Sequence, residues 1–162
     1  MNGSFEDGPE PDPAGPGFTV LEAGSTAVRG WTVTRGSVDH IGPYWQHADG
    51  RRSLDLNGNE PGAIAQTLRT GAGVRYRVTF RLAGNNCGDG PPKAVVVSAA
   101  GKRAEFTFDA TGRNYEDMGW VTKTWEFTAT DSETILEFAS TTEVPAACGP
   151  ALDGVSVVEA GN

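Results

Sequence analysis

Between Val74 and Gly84 the chain reads VRYRVTFRLAG, and its alternation is strict. Val74, Tyr76, Val78, Phe80 and Leu82 share one parity; Arg75, Arg77, Thr79 and Arg81 share the other. In an extended strand successive side chains point to opposite faces, so this segment must bury one face and wet the other. A helix would scatter the same residues around its surface. The same period recurs in AEFTFDA (Ala104, Phe106 and Phe108 inward), TKTWEFTA (Trp125, Phe127, Ala129), TILEFAS (Leu136, Phe138) and SLDLNG (Leu54, Leu56). AIAQTL, KAVVVSA and DGVSVVE add three further strands, and FTVLEA and GWTVTRG add two early ones. Ten short strands separated by turn signals, with no long helical period free of Gly or Pro, define an all-β chain. Two antiparallel sheets packed as a sandwich with jelly-roll connections are the expected architecture.

Twenty-two glycines and ten prolines supply the turns between these strands. The 162 residues suffice for one domain with a substantial core, residues 1–162 forming a single unit, and show neither an internal repeat nor a linker. PEPDPAGPG near the start is incompatible with helix and reads as an ordered surface loop or a polyproline-like excursion.

A net charge of −8 argues against a nucleic-acid partner, because phosphate binding needs clustered Lys and Arg. The basic pair Arg51-Arg52 lies beside Asp49 and Asp55. The apolar run around Ala94 to Val97 is far too short for membrane insertion. MNGSFEDG has neither the basic start nor the apolar stretch of a signal peptide. Cys87 and Cys148 both lie in polar or Gly/Pro-rich loops and fit no zinc spacing, so a disulfide is the preferred reading. That bond places the chain in an oxidising compartment, secreted or at the cell surface, with any targeting segment already removed.

The loop GPYWQHADGRRSLDLNG poses the functional question, because it sets Tyr44 and Trp45 side by side between turn residues. Sugars expose C–H patches on their faces and hydroxyls around their edges, so a sugar site wants an aromatic platform with polar groups at its rim. Tyr44 or Trp45 can be that platform, with Gln46, His47, Asp49, Arg52, Asp55 and Asn57 around it. Asp55 and Asn57 alternate with Leu54 and Leu56, which puts them on the face away from the core, where they can line a groove. The competing reading has Trp45 folded back as a plug, leaving Tyr44 pointing the other way. A second cluster is Asn85, Asn86 and Asp89 in GNNCGDG, set against a plain turn held by Asx hydrogen bonds. NYEDMGW adds Tyr115 and Trp120, with Trp120 a further candidate contact. Its Glu116 and Asp117 are adjacent, point apart on an extended chain, and make a poor acid/base pair. No nucleophile elbow, metalloprotease motif or Ser-His-Asp set occurs, and His40 and His47 lack an evident third metal ligand. No catalytic residue is assigned, and no turnover is expected. In LDGVSVV, Asp153 shares parity with Val155 and Val157, which points a carboxylate inward at a strand start.

Taken in order, NGSFE, GWTV, VDHIGPYWQHADGRRSLDLNG, AIAQTL, VRYRVTFRLAGN, MGW and GPALDGVSVVE resemble the bacterial choice-of-anchor C proteins, relatives of a plant cell-wall family of unknown function. The resemblance covers almost the whole chain. It implies a galactose-binding-like β-sandwich, secretion and residence near a cell surface or wall, without an assigned reaction. The NGxFE start and GPxLDxV end are also similar to those of carbohydrate-binding modules in which the terminal strands meet and hold a structural calcium. That resemblance makes Glu6 and Asp153 candidate Ca2+ ligands, with backbone carbonyls near Gly3 or Ser4. Against it, Asp153 bonds turn amides and Glu6 is solvated. His40 and His47 depart from the family pattern, so a site built on them is not inherited. The expected function is a non-catalytic module that binds a cell-wall or extracellular polysaccharide or oligosaccharide. The alternative is a cell-surface structural or adhesion domain with a protein partner.

Overall fold

The computed structural model describes residues 1–87 and 90–161. Its strands are β1 (Phe18–Glu22), β2 (Thr32–Arg35), β3 (Ser37–Ile41), β4 (Ser53–Asp55), β5 (Ala63–Arg69), β6 (Arg75–Gly84), β7 (Lys93–Ala99), β8 (Lys102–Phe108), β9 (Val121–Thr128), β10 (Glu133–Ser140) and β11 (Pro150–Glu159), with no helix among the described residues. They pair antiparallel into a six-stranded sheet, β1-β3-β4-β11-β6-β9, and a five-stranded sheet, β2-β5-β10-β7-β8. The expected two-sheet sandwich is what the chain builds.

Its core follows from the alternation. In β6, Tyr76, Val78, Phe80 and Leu82 are buried while Arg75 and Arg77 reach solvent. Phe80 from the six-stranded sheet meets Phe106 and Phe138 of the other sheet edge-on, each at 5.2 Å between ring centres. Fully burying one such side chain contributes about 1.5–3 kcal/mol, so this interlocked trio is a principal tie between the layers. The N-terminal segment adds to it. Phe5 is fully buried against Trp31 at 5.6 Å, and Val155 donates its N–H to the Gly3 carbonyl at 2.8 Å. A Cβ on Gly3 would collide with the Val155 carbonyl oxygen, so only glycine lets this segment lie against β11.

Two departures from the periodic reading matter for function. The unexpected eleventh strand is β3, whose sequence SVDHI hides behind serine, aspartate and histidine, residues that seldom mark a strand. All five of its residues are nevertheless buried. In β11 the pairing with β6 shifts register between Asp153 and Ser156, a bulge with Gly154 at φ 55°. Leu152, opposite Leu82, faces the sandwich interior, so Asp153, opposite Arg81, lies on the other face. Asp153 is buried, but not on the side its shared parity with Val155 suggested: the bulge breaks the period, and loops cover the outer face there.

Candidate functional site

The loop from Gly42 to Arg52 folds over the outer face of the six-stranded sheet and is held there by two carboxylates. Asp153 accepts the N–H groups of Ala48 at 3.0 Å and Asp49 at 2.9 Å through Oδ2, and that of Gly154 at 2.7 Å through Oδ1. Glu6 accepts the N–H groups of Arg51 and Arg52 through Oε1, both at 2.8 Å. These are the residues expected to hold calcium, and the donor set does not fit that ion. Three of their four oxygens accept backbone N–H groups, and two carboxylates fall short of the six to eight oxygens calcium prefers. Among the described residues no group of three His, Cys, Asp or Glu side chains is placed to hold a metal. Backbone amides occupy Glu6 Oε1 and Asp153 Oδ2 twice each and Asp153 Oδ1 once.

With the loop pinned, its two rings separate. Trp45 is buried, 4% exposed, and its indole N–H donates to Ser53 Oγ at 2.7 Å. It plugs the covered face and is not a ligand platform, because burying its large apolar area outweighs presenting it. Tyr44 stays half-buried, with its ring 4.8 Å from Tyr115 and 5.0 Å from Phe18, the latter edge-on.

These three rings line a cavity of about 250 Å³, together with Asp39, Gly58, Asn59, Asn85, Ala147 and the two half-cystines Cys87 and Cys148. The disulfide joins those cysteines across 61 residues, with Cα atoms 6.1 Å apart. A hydrogen-bonded chain runs along one wall. Tyr44 donates to Tyr115 at 3.1 Å, Tyr115 to Asn85 Oδ1 at 3.0 Å, and the Asn85 amide to Asp55 Oδ2 at 2.8 Å. Asp55 Oδ1 also accepts the N–H groups of Asn57 at 2.8 Å and Gly149 at 3.1 Å. Asp39 differs. It is 6% exposed, lines the cavity, and its Oδ1 has no donor among the described residues. Asp39 and Asp55 are direct cross-strand partners, so two carboxylates stand side by side in a poorly solvated place. Burial pushes Asp39 up to about 7. Burial likewise pushes Asp55 up to about 8, against the pull of its donors, with Asp39 adding repulsion.

Asp55, opposite Asp39 and Ala151, lies on the outer side of the sheet, while Asn57 lies past the end of β4; both are fully buried, and neither lines the aromatic cavity. Asn57 instead ties chain segments together, donating to the Thr142 carbonyl at 2.8 Å and the Ala146 carbonyl at 2.7 Å. Arg52 is 5% exposed and spends its guanidinium on the Ile41 carbonyl, the Pro9 carbonyl and His40 Nδ1. His40, buried between Arg52 and the Phe5 carbonyl, is held to about 4, chiefly by desolvation. It is structural, with Nε2–H donating to Phe5 and Nδ1 accepting from Arg52. His47 bonds Ser53 Oγ at 3.1 Å. With Glu6, Glu10 and Arg52 it borders a second cavity of about 350 Å³. There Arg52 and Glu6 Oε1 are already satisfied internally, which leaves fewer directing groups for a ligand. Asn86 lies apart from the aromatic cavity, donating to the Arg113 carbonyl at 2.7 Å. Trp120 donates to the Gln46 carbonyl at 2.9 Å and packs on the core. Asp89 lies outside the described residues. Of the expected ligand residues, the aromatic cavity thus brings together Tyr44 and Asn85, with Asp55 behind Asn85.

Asp39, Phe18 and Asn59 are lining residues that no loop motif indicated. The available signal was an aspartate between Val38 and Ile41, two residues that favour a strand. Such a residue is depleted from strands and calls for a reason.

Comparison with solved structures places the fold in the class of jelly-roll sandwiches that includes carbohydrate-binding modules. A CBM35 from Cellvibrio japonicus Abf62 superposes with a TM-score of 0.57 at 19% identity, covering 90% of this chain and 94% of that one. A second family 16 carbohydrate-binding module gives 0.55 at 17% identity, covering 98% of each. TmCBM61, solved in complex with β-1,4-galactotriose, gives 0.54 at 18%, covering 98% of this chain and 96% of that one. At these identities the likeness concerns fold. The family model described as "Protein of unknown function (DUF642)" matches residues 1–158, and the chain belongs to that family. Halomucin from Haloquadratum walsbyi is 37% identical over 98% of this chain, which spans 2% of Halomucin's length. An Arabidopsis thaliana protein, DUF642 L-galactono-1,4-lactone-responsive gene 2, is 30% identical over 96% of this chain, corresponding to 41% of its own length.

Proposed function

We propose that this domain is a non-catalytic carbohydrate-binding module that takes a cell-wall or extracellular glycan in the cavity between Tyr44, Tyr115 and Asp39. The observation that carries the reading is Asp39 Oδ1, a buried acceptor without a donor among the described residues at the edge of an aromatic-lined hollow. Leaving a buried polar group unsatisfied costs about 1–3 kcal/mol, and a ligand hydroxyl supplies the missing donor. The rings offer an apolar face of the kind that packs against sugar C–H groups. The fold shared with carbohydrate-binding modules supports the same reading, as does the complex of TmCBM61 with a galactotriose. The disulfide accords with an oxidising, extracellular setting, and residence near a wall accords with the choice-of-anchor C resemblance. Affinity is expected to be modest, because a hollow of this size covers only part of a flexible polyhydroxyl chain.

A glycan array followed by calorimetry on the hits tests the proposal. Binding should be measurable for at least one wall or matrix glycan and should fall at least about tenfold in Tyr44→Ala, the loss of one ring contact. Retention of full affinity in that variant, or no binding to any glycan by the folded protein, rejects it.

A further inference from the structure

Resting on the reading of the aromatic cavity as a sugar site, we infer that it selects by charge, accepting neutral, hydroxyl-rich sugars and refusing uronates. The direction of the hydrogen bonds along its wall carries this inference. Tyr44 spends its proton on Tyr115, Tyr115 spends its own on Asn85, and the Asn85 amide donates to Asp55. These three donations therefore all run toward Asp55, and of the chain's protons only the second N–H of the Asn85 amide is not spent in them. What the wall offers instead is acceptor lone pairs, on Tyr44 Oη and, just beneath the cavity surface, on Asp39 Oδ1, which has no partner among the described residues. A guest must bring protons to give.

The residues lining the cavity include no Lys, Arg or His among those described, and Asn59 stands at the exposed rim. Lys93, the cation whose field reaches Asp55, borders a separate small hollow. A sugar hydroxyl donates to Asp39 and relieves its missing bond. A sugar carboxylate brings only acceptors, and it sets a third negative group beside the Asp39–Asp55 pair. Above the values of about 7 and 8 at which burial lets Asp39 and Asp55 shed their protons, these anions then stay undersatisfied, a juxtaposition of the kind that rejects wrong partners strongly.

The test compares sugars that differ at one carbon. At about pH 9, above the values of about 7 and 8 for Asp39 and Asp55, methyl β-galactopyranoside and methyl β-glucopyranoside are titrated against their C6-uronate counterparts by NMR, and the glycan-array hits are titrated by calorimetry. The proteins are the wild-type chain, Asp39→Asn and Tyr44→Phe, each checked for folding by circular dichroism. The neutral member of a pair should bind at least about tenfold more tightly in the wild type, given the size of like-charge penalties. Asp39→Asn should narrow that gap from both sides, weakening the neutral sugar and strengthening the uronate. Tyr44→Phe, which keeps the ring and loses the acceptor, should weaken the neutral sugar while leaving uronates excluded. Equal or tighter uronate binding in the wild type overturns the inference while leaving the sugar reading intact, as does a gap unchanged by Asp39→Asn. Absence of binding to every sugar removes the sugar reading and this inference with it.

Discussion

A carboxylate that is 6% exposed and has one oxygen without a donor among the described residues opposes folding, yet Asp39 occupies the middle of a strand. Its folded-state value near 7 lies above the usual aspartate range, so between about pH 4 and 7 the folded chain keeps a proton that the unfolded chain releases. Stability from this group is therefore present at low pH and lost as pH rises through 7. Asparagine at this position mimics the protonated form. Asp39→Asn should then raise the midpoint of thermal unfolding at pH 8 and leave it nearly unchanged at pH 4, read by calorimetry at both values. An equal shift at both pH values would contradict the assignment. The same substitution should impair sugar capture, so one side chain sets recognition against stability. At this scale the chain was only partly legible. The loop left two readings of Trp45, ligand contact or folded-back plug, and the choice fell to the surroundings: Ser53 Oγ and the covered sheet face meet the indole only in the folded chain. Asp39 was missed because its surroundings come from Tyr44, Asn85 and Tyr115, all distant in sequence.

Elements position these groups through clamps that cross the chain. The loop carrying Tyr44 and Trp45 is fastened by Glu6 from the N-terminal segment and Asp153 from β11. Asp153→Ala would orphan the N–H groups of Ala48, Asp49 and Gly154, so it should cost about 2–4 kcal/mol and accelerate hydrogen exchange at Ala48 and Asp49. Chelation with EDTA should leave the wild-type melting temperature unmoved; a drop of several degrees would show that a cation shares these carboxylates. The strand pattern was largely readable, since β6, β9 and β10 bury the residues their alternation selects. Periodicity failed where the backbone itself departs from regularity. The bulge at Gly154 turns Asp153 to the face opposite the one its parity suggests, and a shift of one residue is enough to do so.

Across the whole molecule, one covalent bond bridges the rim of the cavity to the segment leading into β11. Closing a loop with a sequence separation of 61 contributes on the order of 4 kcal/mol in the chain-entropy model. The double variant Cys87→Ser, Cys148→Ser should accordingly lower the melting temperature by roughly 8–16 °C for a domain of this size. Because both cysteines line the cavity, it should also weaken glycan binding measured well below that temperature. Unchanged affinity in the folded double variant would separate the bond from the site. Alternation with a period of two was enough to establish an all-β sandwich and most of its core, because each strand's inward face is decided by neighbours one and two residues away. The cavity was decided elsewhere. Tyr44, Asp39, Asn85 and Tyr115 meet only once two loops fold over the outer face of a sheet. Whether a carboxylate there is clamped, like Asp153, or left for a ligand, like Asp39, depends on which backbone amides arrive beside it.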